Sequence, residues 1–303
     1  MSDLSLFRHV TPVLPQAATG SVAAVYDHVN TEFSSIGPAV MMMSPAPELL
    51  TAGWALLRES LVAGSVPRWR KEIVTVAVSQ ENGCDYDIAG HLMFLRLAGG
   101  SEAADALERG EDPGGSGLVG WVRSGGRPPF SAAEAPEYIG TALALHFVNR
   151  FVAVLINPDL HPGDMRQAAF EGGPIARAIH QDRTPGDSLR LLDSVPDNAI
   201  PEWAGDSPVG PAYAALRAAA LRGAGLLSET AQNTVQEAIA AQDLTRAEDP
   251  GAHLAILAGL APARITDADI AGWRAGRYPD HCLLHLLAYG AITAIGHIER
   301  KLW

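Results

Sequence analysis

The sequence predicts an all-α fold, and three observations carry the prediction. Apolar residues recur at intervals of three and four through nearly every segment that is not rich in Gly and Pro. Ser, Pro and Gly fall where helices start and stop. Of the 303 residues 48% are hydrophobic and only 18% charged, in Ala- and Leu-rich runs with few aromatics, which suits a helix-rich globular enzyme. A chain of this length forms one large domain or two of ordinary size, either with a substantial core.

The elements follow in order. TGSVAAVYDHV sets Val22, Val25, Tyr26 and Val29 on one helical face. SPAPELLTAGWALLRESLVAG predicts a helix capped by Ser44, with Pro45 in its first turn and a stop near Gly64. Pro67 opens a helix through Ile73, Val74, Val76, Ala77 and Val78 that breaks at Asn82-Gly83. Within it TVAVS has strand propensity, but the longer 3.6-residue pattern outweighs it. The next helix runs from about Asp85 to Leu97 and ends at Gly99-Gly100.

Between Arg109 and Pro129, Gly and Pro predict a long connection with one short turn around LVGWV. Ser131 and Glu134 make a capping-box pattern before APEYIGTALALHFVNRFVAVLI. A second polar, Gly- and Pro-rich stretch spans about Asp182 to Pro211. Three further helical patterns close the chain: AYAALRAAALRG, SETAQNTVQEAIAAQ and DHCLLHLLAYGAITAIGHIERKLW. EIVTVAVSQENGCDYDIAG is echoed by HLAILAGLAPARITDADIAG in length, apolar pattern and ending. The echo suggests two related helical halves, residues 1–181 and 182–303, the second a degenerate repeat packed on the first.

The net charge of −12 and the lack of a basic stripe argue against nucleic-acid binding. Two cysteines make no disulfide scaffold, so a reducing cytoplasm is the expected location. The N-terminal residues lack the basic and apolar regions of a signal peptide. No run approaches about 18 uninterrupted apolar residues, so no membrane span is expected.

Chemistry concentrates in KEIVTVAVSQENGCDYDIAGH, residues 71–91. On a helix Cys84, Asp87 and His91 stand at i, i+3 and i+7, along one face. Cys84 falls at the helix N-terminus, where free N–H groups favour a thiolate. Asp87 opposes that by like-charge repulsion, and would orient or charge His91 if it pairs with it. The break at Asn82-Gly83 can fold Glu72 back onto this stripe, making a proton-transfer site. The plain alternatives are a small buried hydrophobe for Cys84 and a structural ion pair for Asp87 and His91.

Two sets of metal-type ligands also stand out: His281 and His285 at i, i+4, without a third ligand in register, and a mixed set of Glu72, Asp87 and His91. Neither suffices to expect a metal, and no cofactor is expected. The glycines near 114–126 lack the phosphate-loop pattern.

The segment resembles the core motif of the carboxymuconolactone decarboxylase/alkylhydroperoxidase D-like family: a glutamate, eleven residues, then C-x-x-C-x-x-x-H. Glu72, Cys84 and His91 match it, and Asp87 stands where the second cysteine belongs. VSQEN, LSLFRHVTPVLPQAATGSVAAVYDHV, SPAPELL and HFVNRFVAVLINPDLHPG extend the similarity over most of the chain. The resemblance implies an all-helical fold, a homo-oligomer and a small-molecule substrate.

In the family's peroxidase branch the two cysteines form the redox couple, and the glutamate and histidine move protons. That disulfide cycle cannot run here unless Cys282 lies against Cys84. In the decarboxylase branch the same frame does acid–base work on a small lactone. The resemblance therefore implies acid–base catalysis by Glu72 and His91, with Asp87 orienting His91 and Cys84 lining the pocket. A one-cysteine peroxidase acting through Cys84, and a non-catalytic helical scaffold, are the two alternatives.

Overall fold

Proline opens and glycine separates many of the fourteen α-helices in the computed structural model, which describes residues 4–159, 173–193, 199–275 and 277–303. In the first half they are α1 (Gly20–Phe33), α2 (Pro38–Met41), α3 (Pro47–Leu57), α4 (Arg68–Glu81), α5 (Asp85–Leu97), α6 (Ser101–Glu108), α7 (Leu118–Ser124) and α8 (Ala135–Leu155). There follow α9 (Pro174–Ile179), α10 (Val209–Leu221), α11 (Glu229–Ala241), α12 (Pro250–Leu260), α13 (Asp267–Arg274) and α14 (Asp280–Leu302). Among the described residues no strand forms beyond a single antiparallel bridge between Phe7 and Ile156. The all-α prediction holds, and TVAVS is helical within α4.

Local chemistry explains most boundaries. Pro47, Pro136, Pro174 and Pro250 sit in the first turn of their helices, where a missing N–H leaves no bond unmade. Ser228 caps α11 by accepting from the Ala231 N–H, and Thr266 with Asp269 forms a full capping box on α13. Ser44 does not cap α3 as expected: the helix starts at Pro47, and the Ser44 hydroxyl donates to the Met41 carbonyl and accepts from the Val13 N–H. With the helix starting at Pro47, the N-cap position falls on Ala46, two residues beyond Ser44. Only half of the predicted box at Ser131 forms, because both its N–H and its hydroxyl donate to Glu134. Helices α6 and α13 arise where the sequence patterns suggested none.

The long helix α8 is buried along almost its whole length and packs against α3, α4 and α14. Its length and apolar composition, like those of α14, would allow it to cross a membrane, but both helices lie mostly inside this core. One hydrophobic core runs from Val10 to Leu302, with α3 against α10 and α12 against α14. The two echoing segments fall on α4–α5 and on α12–α13, each a helix–break–helix unit.

Glycine sets the α12–α14 distance. A Cβ on Gly290 would stand 1.9 Å from the Ala255 carbonyl oxygen, a clash with backbone that no rotamer relieves. Gly290→Ala should therefore lower stability by about 1–3 kcal/mol, since the overpacking exceeds the roughly 1 kcal/mol that alanine contributes to helix propensity. Denaturant unfolding of the variant against the wild type checks this.

Candidate active site

Helices α4 and α5 meet through the break at Asn82–Cys84, where Gly83 takes φ +63° and lets the chain reverse. The reversal brings Glu72 opposite His91. His91 Nδ1 donates to Glu72 Oε2 at 2.7 Å, and Thr75 Oγ1 donates to the same oxygen at 2.8 Å. Arg68, one turn before Glu72, donates from Nε to Oε1 at 2.6 Å.

Glu72 has no exposed surface. Burial by itself would raise its carboxyl pKa, but the Arg68 guanidinium and the His91 imidazole outweigh it and hold the pKa at about 2. Depression of this size from 4.5 contributes roughly 3 kcal/mol of stability at neutral pH. The sign follows from linkage: the contribution is complete above pH 4.5 and disappears as the pH falls toward 2. Glu72→Gln should flatten this part of the acid-stability curve, which melting temperatures measured across that range would show.

A fixed carboxylate selects the tautomer of the neutral ring. With Nδ1–H committed to Glu72, Nε2 is left with its lone pair, and it makes no hydrogen bond among the described residues. His91 also lines a cavity of about 670 Å³. The wall is largely apolar, with Phe33, Trp54, Leu57 and Leu145, and its polar groups include Arg68, Tyr86 and Asp85 beside His91. Arg68 packs 5.7 Å over the Phe33 ring, so it faces the cavity while still bound to Glu72. Burial, then the nearby Asp87 charge, raises the Tyr86 hydroxyl pKa and keeps it a donor.

Cys84 and Asp87 form a separate group. The Cys84 thiol donates to Asp87 Oδ2 at 3.4 Å, and Asn149 Nδ2, from α8, donates to the same oxygen at 2.6 Å. Asn82 in turn donates to Asn149 Oδ1 at 2.8 Å. Burial pushes the Cys84 thiol up and the Asp87 charge pushes it further. The helix terminus expected to favour a thiolate is thus overruled. Burial also raises the Asp87 carboxyl pKa against the lowering effect of His91 and Asn149. Neither Cys84 nor Asp87 is part of the cavity wall.

Two expectations change. Asp87 does not pair with His91: no hydrogen bond or ion pair joins them among the described residues, and Glu72 takes that place. The reason is that Asp87 turns toward α8, where the Asn149 amide offers a strong donor in a buried site. Cys84 does not line the cavity, and Cys84 and Cys282 are both free thiols. Arg68 and Asn149 escaped sequence reasoning. An arginine four residues before Glu72, and a lone amide in the apolar run of α8, were the available signals.

The family model for the carboxymuconolactone decarboxylase family matches residues 48–112, a span that holds all four of Glu72, Cys84, Asp87 and His91. The chain is also similar to the alkyl hydroperoxide reductase Rv2159c of Mycobacterium tuberculosis (strain ATCC 25618 / H37Rv). The two are 34% identical over 328 aligned residues, covering 97% of this chain and 94% of that protein. With similarity reaching almost from end to end and the motif placed on two packed helices beside a cavity, the chain belongs to the carboxymuconolactone decarboxylase/alkylhydroperoxidase D-like family.

Proposed function

We propose that the protein catalyses acid–base chemistry of the decarboxylation, isomerisation or elimination type on a small organic acid, rather than dithiol peroxide reduction. One observation carries the reading: of the four motif positions, His91 alone reaches the cavity, with its Nδ1–H held by a buried, ionised Glu72. In this reading Nε2 accepts a proton from the substrate, and the Glu72 carboxylate stabilises the imidazolium that forms. Arg68 adds positive charge to an apolar wall, a combination that suits a substrate with a hydrocarbon body and one carboxylate. Tyr86 can donate a hydrogen bond to a developing oxyanion.

The second reading, a one-cysteine peroxidase, is favoured by the name of the mycobacterial relative. It requires Cys84 to ionise beside Asp87, in a position off the cavity wall. The two readings separate on a pair of substrate panels. Small lactones and oxo-acids, followed by loss of absorbance or release of carbon dioxide, test the first. Organic hydroperoxides with a dithiol reductant test the second. Turnover of the first panel that survives Cys84→Ser supports acid–base chemistry. Hydroperoxide reduction that Cys84→Ser abolishes, with a trapped sulfenic acid on Cys84, would overturn it.

A further inference from the structure

Helix α14 carries His281 and His285 one turn apart, and the fold brings Glu48, in the first turn of α3, between them. Both Nε2 atoms reach the same carboxylate oxygen, Glu48 Oε1, at 2.9 Å from His281 and 2.8 Å from His285. The three ligand atoms lie within 4.8 Å of one another. We propose that these three residues form a binding site for a first-row divalent transition ion, separate from the Glu72–His91 site and independent of its function.

The donor set suits such an ion. Two imidazoles at i, i+4 on a helix with a carboxylate from elsewhere is a three-ligand arrangement that zinc accepts, leaving a further position for water. The side chains are also held in place. A Cβ on Gly223 would stand 2.0 Å from the His285 carbonyl oxygen, so this turn of α14 is packed hard against its neighbour. The rings of His281 and His285 lie 4.6 Å apart. His285 is buried, while the His281 side chain is 46% exposed and gives the site a side open to solvent. Glu48 also lines a polar cavity of about 400 Å³ with Thr51, Asp193 and Arg222.

A comparable cluster of His28, Glu32 and Asp187 lacks these properties. There the Trp54 indole N–H donates to His28 Nδ1 at 3.1 Å, which commits Nε2–H to Asp187, and Glu32 is already paired with Arg58 and Arg183. At Glu48 no arginine ion pair occupies the carboxylate among the described residues. Among the described residues His285 Nδ1 has no hydrogen-bond partner, so no outer acceptor of the kind that strengthens many histidine ligands is seen there, and moderate rather than extreme affinity is expected.

The test is calorimetric titration of the full-length, chelator-treated protein with zinc sulfate alone, with cobalt chloride as a spectroscopic probe. The wild type should bind one equivalent and show the visible bands of cobalt in a low-coordinate nitrogen–oxygen site. His281→Ala and Glu48→Gln should each weaken binding by at least about 10–100-fold, while His297→Ala on the same helix should not. Because nearly half of the His281 side chain is exposed, its variant should melt like the metal-free wild type, and only the wild type should be stabilised by added zinc. Failure of the wild type to bind one equivalent, or binding untouched by both His281→Ala and Glu48→Gln, would overturn the proposal.

Discussion

Replacing His91 with glutamine should lower kcat/KM by about 10²–10⁴, the range that general acid–base groups contribute. The loss should fall mainly on kcat, because a base acts on the transition state more than on substrate binding. Glu72→Gln should reproduce much of it. The amide can still accept from His91 Nδ1–H, but it has no charge to stabilise the imidazolium. Cys84→Ser and Asp87→Asn should change turnover by no more than a few-fold, since neither residue lines the cavity or hydrogen-bonds to His91. Steady-state kinetics on the first substrate accepted from the acid panel decides this. The reverse pattern, with Cys84 essential and His91 dispensable, would sink acid–base catalysis at this site.

The largest effect on stability should come from Glu137→Ala. Glu137 sits in the first turn of the buried helix α8, and its carboxylate accepts from Ser65 N, Ser65 Oγ and Val66 N, at 2.8, 3.2 and 3.2 Å. Lys71 Nζ donates to it at 2.7 Å, and among the described residues the only other hydrogen-bond partner of that ammonium is the Ala63 carbonyl. Lys71 is 1% exposed, and burial pulls its pKa down against the pull of Glu137. Removing the carboxylate leaves a buried ammonium without its counter-charge, an expected loss of about 3–5 kcal/mol. Gly64 (φ +103°) packs directly on the Glu137 carboxyl group, where any Cβ would clash, so the turn leading into α4 is built around this carboxylate. The variant should melt on the order of 10 °C lower, and the double change Lys71→Met with Glu137→Leu should recover much of the loss because no charge is then stranded.

Much of this architecture is legible in the sequence. The helix pair α4–α5 and its break follow from apolar spacing and from one glycine that adopts positive φ. The same pattern placed Glu72, Cys84, Asp87 and His91 on two neighbouring helices. Helices α6 and α13 were missed because eight residues give too few turns for a periodic pattern to stand out from their polar surroundings.

The partners of each side chain were a different matter. Asp87 and His91 lie one turn apart, about 6 Å along the helix, so spacing permits a pair without requiring one. What decided it was the helix facing each residue: α4 presents Glu72 to His91, and α8 presents Asn149 to Asp87. Likewise the His281–His285 spacing offered two ligands, and Glu48 joined them from 233 residues away. By itself the sequence determined which residues share a helix face, because that depends only on local periodicity. The tertiary structure decided which of them share a proton, a charge or an ion, because those bonds act over about 3 Å between segments that only packing brings together.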